Sequence, residues 1–313
     1  MKRFLLCFLL LCGAGVGLAQ EFYGITGNAR RTAMGGVTTG VAGDAYATSG
    51  NASSALFCHK SIQAAFNYTK FSGETMRQNR MMSFGVYGKV APRHMIAAGG
   101  DFYIEPIWQY TGKRPGAQRY EVAYGYKASE RFAFAITARF IRTYGHDKGG
   151  CTVWDYNSGG LDFSVSAQLP TKLLDGTAIA KLGAKLSTDL CDDYLYNNYL
   201  FGATLGCGLM LPFTDSHSLE VGVDAKYGLA GIWGHTIAGS IGAEYTLMQL
   251  LYFRIGGNVA HYTDKFVNFN TIGYGTIGVG VRFFHLQFDV AYSAGRRNAP
   301  MSNMVQFSVG LDF

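Results

Sequence analysis

The chain has 313 residues, only 15% of them charged against the ~25% usual for soluble domains, and it is 48% hydrophobic with a mean hydropathy of +0.07. The formal charge of +6 is mild and no run of like charges forms, which argues against a nucleic-acid-binding surface. The six cysteines include no Cys-x-x-Cys pair and the seven histidines no His-x-x-x-His pair, so no zinc site and no cofactor is called for.

The first element is a targeting segment. Lys2 and Arg3 precede the apolar run Phe4 to Leu18, and Gly17-Leu18-Ala19 places small residues at a signal-peptidase site. Residues 1–19 are therefore expected to be removed, taking Cys7 and Cys12 with them. Cys12 follows Leu9-Leu10-Leu11 rather than a small residue, which speaks against lipidation. Cys58, Cys151, Cys191 and Cys207 remain, in an oxidising compartment.

Beyond the signal no continuous apolar stretch approaches the ~20 residues of a membrane helix. A membrane β-barrel reconciles that with the composition, because it spreads apolar residues one in two. The 42 glycines suit crowded lumen positions, and the 20 tyrosines and 22 phenylalanines suit interfacial girdles.

Residues 20–58 do not alternate. The segment is rich in Gly, Ala, Ser and Thr and precedes the first strand, so it is expected to fold into the lumen as a plug, with a periplasmic extension as the alternative. Alternation starts at Ser61. Fourteen strand cores are predicted at 61–70, 82–90, 94–104, 118–127, 132–142, 161–169, 178–187, 199–211, 216–227, 236–246, 251–262, 275–283, 285–293 and 304–313. In the last, Val305, Phe307, Val309, Leu311 and Phe313 share one face and Gln306, Ser308, Gly310 and Asp312 the other. Leu286, Phe288, Val290 and Tyr292 likewise oppose Gln287, Asp289, Ala291 and Ser293. The expected fold is thus an all-β, transmembrane antiparallel barrel of about fourteen strands over residues 59–313.

Connections alternate in length. Stretches 71–81, 105–117, 143–160, 188–198 and 263–274 are long, whereas 91–93, 128–131, 212–215 and the turn near Phe284 are short, with 170–177 a middling exception. Outer-membrane barrels have short periplasmic turns and longer outer loops, so both termini are expected in the periplasm.

The stretch from Asn28 to Phe57 contains Ala29-Arg30, Met34-Gly35-Gly36, Asp44-Ala45 and Asn51-Ala52. In that order and spacing it resembles the N-terminal signature of the PorV/PorQ family of outer-membrane barrels, related in architecture to FadL-type transporters of hydrophobic compounds. The family usually has Pro-Ala after the Asn, where this chain has Ala52-Ser53. The resemblance implies an outer-membrane barrel, non-enzymatic, acting as a docking or export accessory for secreted proteins or secretion-system components of the type IX pathway. A FadL-type uptake channel and a general porin are the alternatives. On the residues themselves, Gly35 and Gly36 permit tight backbone approach or positive φ. Arg30 and Asp44 are candidates to pair with charged lumen positions, and Asn51 to form an Asx-turn into the first strand.

The inward faces carry both signs, at Glu121, Arg139, Asp162, Lys181, Lys185, Glu220, Asp224, Arg254, Arg282 and Asp289. Buried charges must pair, so a salt-bridged, plugged interior is expected over a wet pore. Cys151 and Cys191 fall in successive outer loops and are a candidate disulfide, while Cys207 lies on a lipid-facing stripe. His217 and His261 lie in strands, with no serine placed beside either. Gly273-Tyr-Gly-Thr-Ile-Gly278 spells a dinucleotide fingerprint but opens a strand rather than a helix. Tyr103, Trp108, Tyr110, Trp154, Tyr156, Tyr194, Tyr196, Tyr199 and Trp233 cluster at strand tops and outer loops, as girdle anchors or a binding surface. The oligomeric state is not legible.

Overall fold

A computed structural model describes residues 27–72, 79–104, 114–146, 152–173, 176–191, 199–214, 216–229, 235–262, 271–295 and 302–313. The expected signal peptide lies outside the described residues. Fourteen strands run β1 (Ile62–Phe71), β2 (Arg80–Ala91), β3 (His94–Ile104), β4 (Arg114–Lys127), β5 (Phe132–His146), β6 (Thr152–Leu173), β7 (Gly176–Cys191), β8 (Tyr199–Thr214), β9 (His217–Leu229), β10 (His235–Leu247), β11 (Leu251–Tyr262), β12 (Thr271–Phe283), β13 (Leu286–Gly295) and β14 (Met304–Asp312). Each pairs antiparallel with its neighbours in sequence, and β1 pairs with β14 to close the barrel.

Closure is what an apolar solvent demands. With no water to satisfy backbone N–H and C=O groups, a sheet in lipid can leave no open edge. The seam runs from Gln63 opposite Asp312 to Phe71 opposite Met304. The Phe313 carbonyl accepts from Ser61 N–H at 2.8 Å, so the last residue pins the start of the first strand.

The sequence period of two becomes two chemically different surfaces. Along β13, Leu286, Phe288, Val290 and Tyr292 face outward and are exposed, while Asp289, Ala291 and Ser293 are buried within. The dyads of β6, β9 and β14 resolve the same way, with Asp162, Asp224 and Gln306 inside and Leu161, Val223 and Phe307 outside. A soluble sandwich would bury the apolar face; here the polar face is buried.

The structure revises the expected ends. β6 begins at Thr152 and runs to Leu173, so the connection expected at 143–160 shrinks to 147–151 and the one at 170–177 to 174–175. Alternation marks a strand only while one side meets lipid and the other the lumen; where both faces leave the apolar band, the ladder continues without a pattern to announce it. All seven connections at one end then hold five to nine residues and all six at the other two to four. Register shifts at Pro212/Thr214, where proline lacks the N–H a ladder needs.

Ile255, 62% exposed in the middle of β11, tests the outward surface. Ile255→Arg is expected to cost ~2–4 kcal/mol in urea unfolding from bilayers; a loss under ~0.5 kcal/mol would deny that this face meets hydrocarbon.

Candidate functional site

Residues 27–58 lie inside the barrel as a plug, and the site is the contact between this segment and the wall. It opens with a short helix, α1 (Ala29–Ala33). The Asn28 side chain caps it, accepting from Arg30 N–H at 2.7 Å and Arg31 N–H at 3.4 Å. The helix stops because Gly35 and Gly36 take φ of 70° and 83°, a left-handed turn that lets Gly36 N–H donate to the Arg31 carbonyl at 2.8 Å. Both properties expected of the Met34-Gly35-Gly36 step are therefore used, since Gly35 also lies against the Gly257 backbone and donates to Thr276 Oγ1 at 3.1 Å.

The wall is shaped to receive backbone. Gly208, Gly222, Gly242 and Gly256 stand opposite one another across β8, β9, β10 and β11, forming a glycine row on the lumen side. A Cβ on Gly242 or Gly256 would collide with the Met34 backbone, and one on Gly208 with the Gly40 carbonyl. The plug main chain lies in that trough.

Charged rows flank the trough. On one side Glu220, Glu244 and Arg254 are consecutive cross-strand partners. Two carboxylates directly opposite repel, and Arg30 of the plug resolves this. Its Nη2 donates to Glu220 Oε2 at 2.9 Å and its Nε to Glu244 Oε2 at 2.9 Å. Arg254 contributes from the wall, at 2.5 Å to Glu244 and 2.5 Å to Asp289, and Lys181 pairs with Glu220. On the other side, Asp224 accepts from the N–H groups of Thr38, Thr39 and Gly40 at 2.7, 3.0 and 3.0 Å. Three successive amides form an anion-binding nest filled by a carboxylate of the wall.

Other expected residues take different partners. Asp44 pairs within the plug rather than with the wall, with Arg31 at 2.7 Å and Asn28 at 2.8 Å. Arg31 was not singled out from the sequence, nor were Asn28 and Glu244. Asn51 forms no Asx-turn: it precedes a 3-10 helix, Ala52–Phe57, its side chain accepts from Ser53 Oγ at 2.6 Å, and its Nδ2 reaches the Val165 carbonyl at 3.4 Å. The proline-free Ala52-Ser53 step puts Ser53 Oγ 2.7 Å from Ser166 Oγ on the wall. The remaining inward charges also pair, Asp162 with Arg139 at 2.8 Å and Lys185 at 3.0 Å, and Glu121 with Arg119 at 3.4 Å. Arg282, at the short-turn end, is only half-buried and lies 3.5 Å from Asp312.

Several candidates fall away from the lumen. His217 and His261 face outward, bonded to Tyr245 Oη at 2.8 Å and Thr271 Oγ1 at 3.0 Å. The Gly273–Gly278 stretch lies in β12. Tyr103 is not a girdle residue: it is buried inside with Phe71, Met81, Ala117, Tyr274 and Met304, an apolar patch at the long-connection end. Trp108, Tyr110, Tyr194, Tyr196 and Trp233 lie outside the described residues, as do the side chains of Trp154, Tyr156 and Tyr199. Cys151 and the side chain of Cys191 do so too. Cys207 faces outward and is free. Burial pushes the Cys58 thiol above its ordinary pKa, and its Sγ donates to the Gly43 carbonyl at 3.1 Å.

Between the plug and strands β1, β13 and β14 lies a cavity of about 50 Å³ lined by Arg30, Asp44, Tyr46, Asp289 and Asp312 among others, space for a few waters.

No family model matches the chain, and no curated protein does. Solved structures do. The chain is similar to the Pseudomonas putida toluene transporter TodX (TM-score 0.58, 13% identity, 91% of this chain and 96% of that one). It is also similar to the CymD monoaromatic hydrocarbon channel (0.59, 12%, 95% and 96%) and to a Pseudomonas aeruginosa FadL homologue (0.57, 11%, 96% and 100%).

Two substitutions test the seating of the plug. Arg30→Ala leaves Glu220 and Glu244 facing each other and is expected to cost ~3–5 kcal/mol of plug stability, read as proteolysis within residues 27–58 while the barrel keeps its heat-modifiable migration. Gly256→Leu should displace the same segment by sterics alone and raise single-channel conductance; unchanged conductance in both variants would contradict the described seating. The closed fourteen-strand antiparallel barrel is the fold in which this chain resembles these outer-membrane channels.

Proposed function

We propose that the protein is a bacterial outer-membrane channel for uptake of small hydrophobic molecules, with its long connections facing outward and both chain ends in the periplasm. The observation that carries this reading is the buried apolar patch of Phe71, Met81, Tyr103, Ala117, Tyr274 and Met304 at the long-connection end: the other large apolar cluster of the lumen, around Tyr87, Met95 and Leu56, is packed against the 3-10 helix of the plug, whereas this patch contains no plug residue. A water-filled pore has no use for such a lining, which costs wetted apolar surface. A hydrophobic solute entering from the outer end meets this patch before the plug. The likeness to a toluene transporter, a monoaromatic hydrocarbon channel and a FadL homologue supports the same reading. The segment 27–58 packed against the inner wall speaks against a general porin, and the outward turn of His217 and His261 is consistent with a non-enzymatic role.

The export-docking role keeps one support, the 28–57 signature that resembles the PorV/PorQ family. Every residue of that signature is spent on seating the plug, which a transporter needs equally.

Uptake of a labelled monoaromatic hydrocarbon by cells displaying the protein decides between them. The Phe71→Gln/Met304→Gln double variant, polar without placing two charges opposite each other on the seam, is expected to lower uptake about tenfold at unchanged surface level. Equal uptake by variant and wild type, or co-purification of the wild type with an exported protein and no uptake at all, would overturn the channel reading.

A further inference from the structure

The short-turn end of the barrel is chemically split. On the arc from β10 to β14 the turns expose large apolar residues beside Gln249 and His285: Met248 is 68% exposed and Phe284 80%, flanked by exposed Leu250, Phe283 and Phe313. Met248 and Phe284 hold φ of 55° and 53°, left-handed positions where a side chain is strained and glycine or asparagine is usual. Turn tips in water carry polar residues; here the sequence accepts both strain and exposure to keep Met and Phe.

These tips continue the lipid-facing surface without a break. Val279, Val281, Phe283 and Phe284 form one exposed outward series, and Ile255, Phe253, Leu250 and Met248 another. On the opposite arc, from β1 to β6, the apolar series stops at Ile62, Val90 and Phe132, and exposed Arg93, Arg131 and Lys172 follow, with half-buried Lys60 held 3.4 Å from Asp312; Lys89 and Lys127 turn inward, to the Cys58 carbonyl and over the Phe57 ring. Among the described residues of those strand ends and turns the exposed acid is Glu130, and Lys127 already holds it at 2.7 Å.

We infer that the short-turn end is seated unevenly in a phospholipid leaflet: the β10–β13 turn tips lie below its surface among acyl chains, and the basic arc rests on anionic headgroups. Continuity with the lipid-facing band selects lipid over a protein partner for the apolar tips. Charge selects the anionic headgroup for the other arc, because juxtamembrane Lys and Arg gain from a negative leaflet, and their aliphatic stems can lie along its apolar edge. The seating rests on the membrane-barrel reading and adds a tilt and a lipid preference to it.

Tryptophan replacements at Phe284, Met248, Arg93 and Ile255, each compared with the wild type to subtract its native tryptophans, are reconstituted in vesicles containing acyl-brominated phospholipid. Ile255→Trp reports the band and must be quenched; if it is not, the membrane-barrel reading itself fails. With that control quenched, Phe284→Trp and Met248→Trp are expected to reach at least about half its quenching, and Arg93→Trp under a fifth. Iodide access to the tryptophans at 284 and 248, without bromolipid quenching, would overturn the seating and leave those tips to a soluble partner. For the headgroup, the Arg93→Gln/Arg131→Gln/Lys172→Gln variant is expected to lose the enrichment of phosphatidylglycerol over phosphatidylethanolamine in lipid retained by the wild type. Equal lipid ratios in both proteins would overturn the anionic preference.

Discussion

Two carboxylates facing each other across neighbouring strands organise the interior. Glu220 and Glu244 are in register on β9 and β10, both buried on the lumen side. Left alone, the pair would be repulsive and desolvated. Arg30 reaches both at 2.9 Å, Arg254 adds a second guanidinium and Lys181 an ammonium. The wall is therefore electrostatically incomplete without the plug, and the plug's first helix exists to bring Arg30 to that place.

Shape and charge act together there. The glycine row Gly208–Gly222–Gly242–Gly256 removes side chains from the wall where the plug backbone must pass, while Asp224 beyond it offers a carboxylate to three free amides. An irregular backbone inside a membrane protein needs partners for its N–H groups, and the wall supplies them along this trough. Small residues in the plug let its main chain lie close to wall glycines, as Gly35 does at Gly256 and Gly257 and Gly40 at Gly208.

The outward surface follows a simpler rule, because lipid asks only for apolar side chains and a closed ladder. Where that rule is relaxed, at the short-turn end, the two arcs diverge into apolar tips and basic edges. The lumen is not uniform either: an apolar patch at its long-connection end stands apart from the apolar contacts of the plug.

Much of this was written in the chain. A period of two repeated fourteen times dictates strands, and an oily face too extensive for any protein core dictates lipid outside and polar groups within. The inward positions of Glu121, Asp162, Lys181, Glu220, Asp224 and Asp289 follow from counting alternate residues. Even the trough left a trace, the repeated polar-x-Gly-x-polar step of Glu220–Asp224, Ser240–Glu244 and Arg254–Asn258. Pairing across space was not legible. Which of Arg30 and Arg31 reaches the wall depends on one turn of helix and its Asn28 cap, and the inward turn of Tyr103 on a strand's phase near its end, where alternation fades. Local periodicity sets which face a residue takes; only closure of the barrel around the plug decides which distant residue it meets.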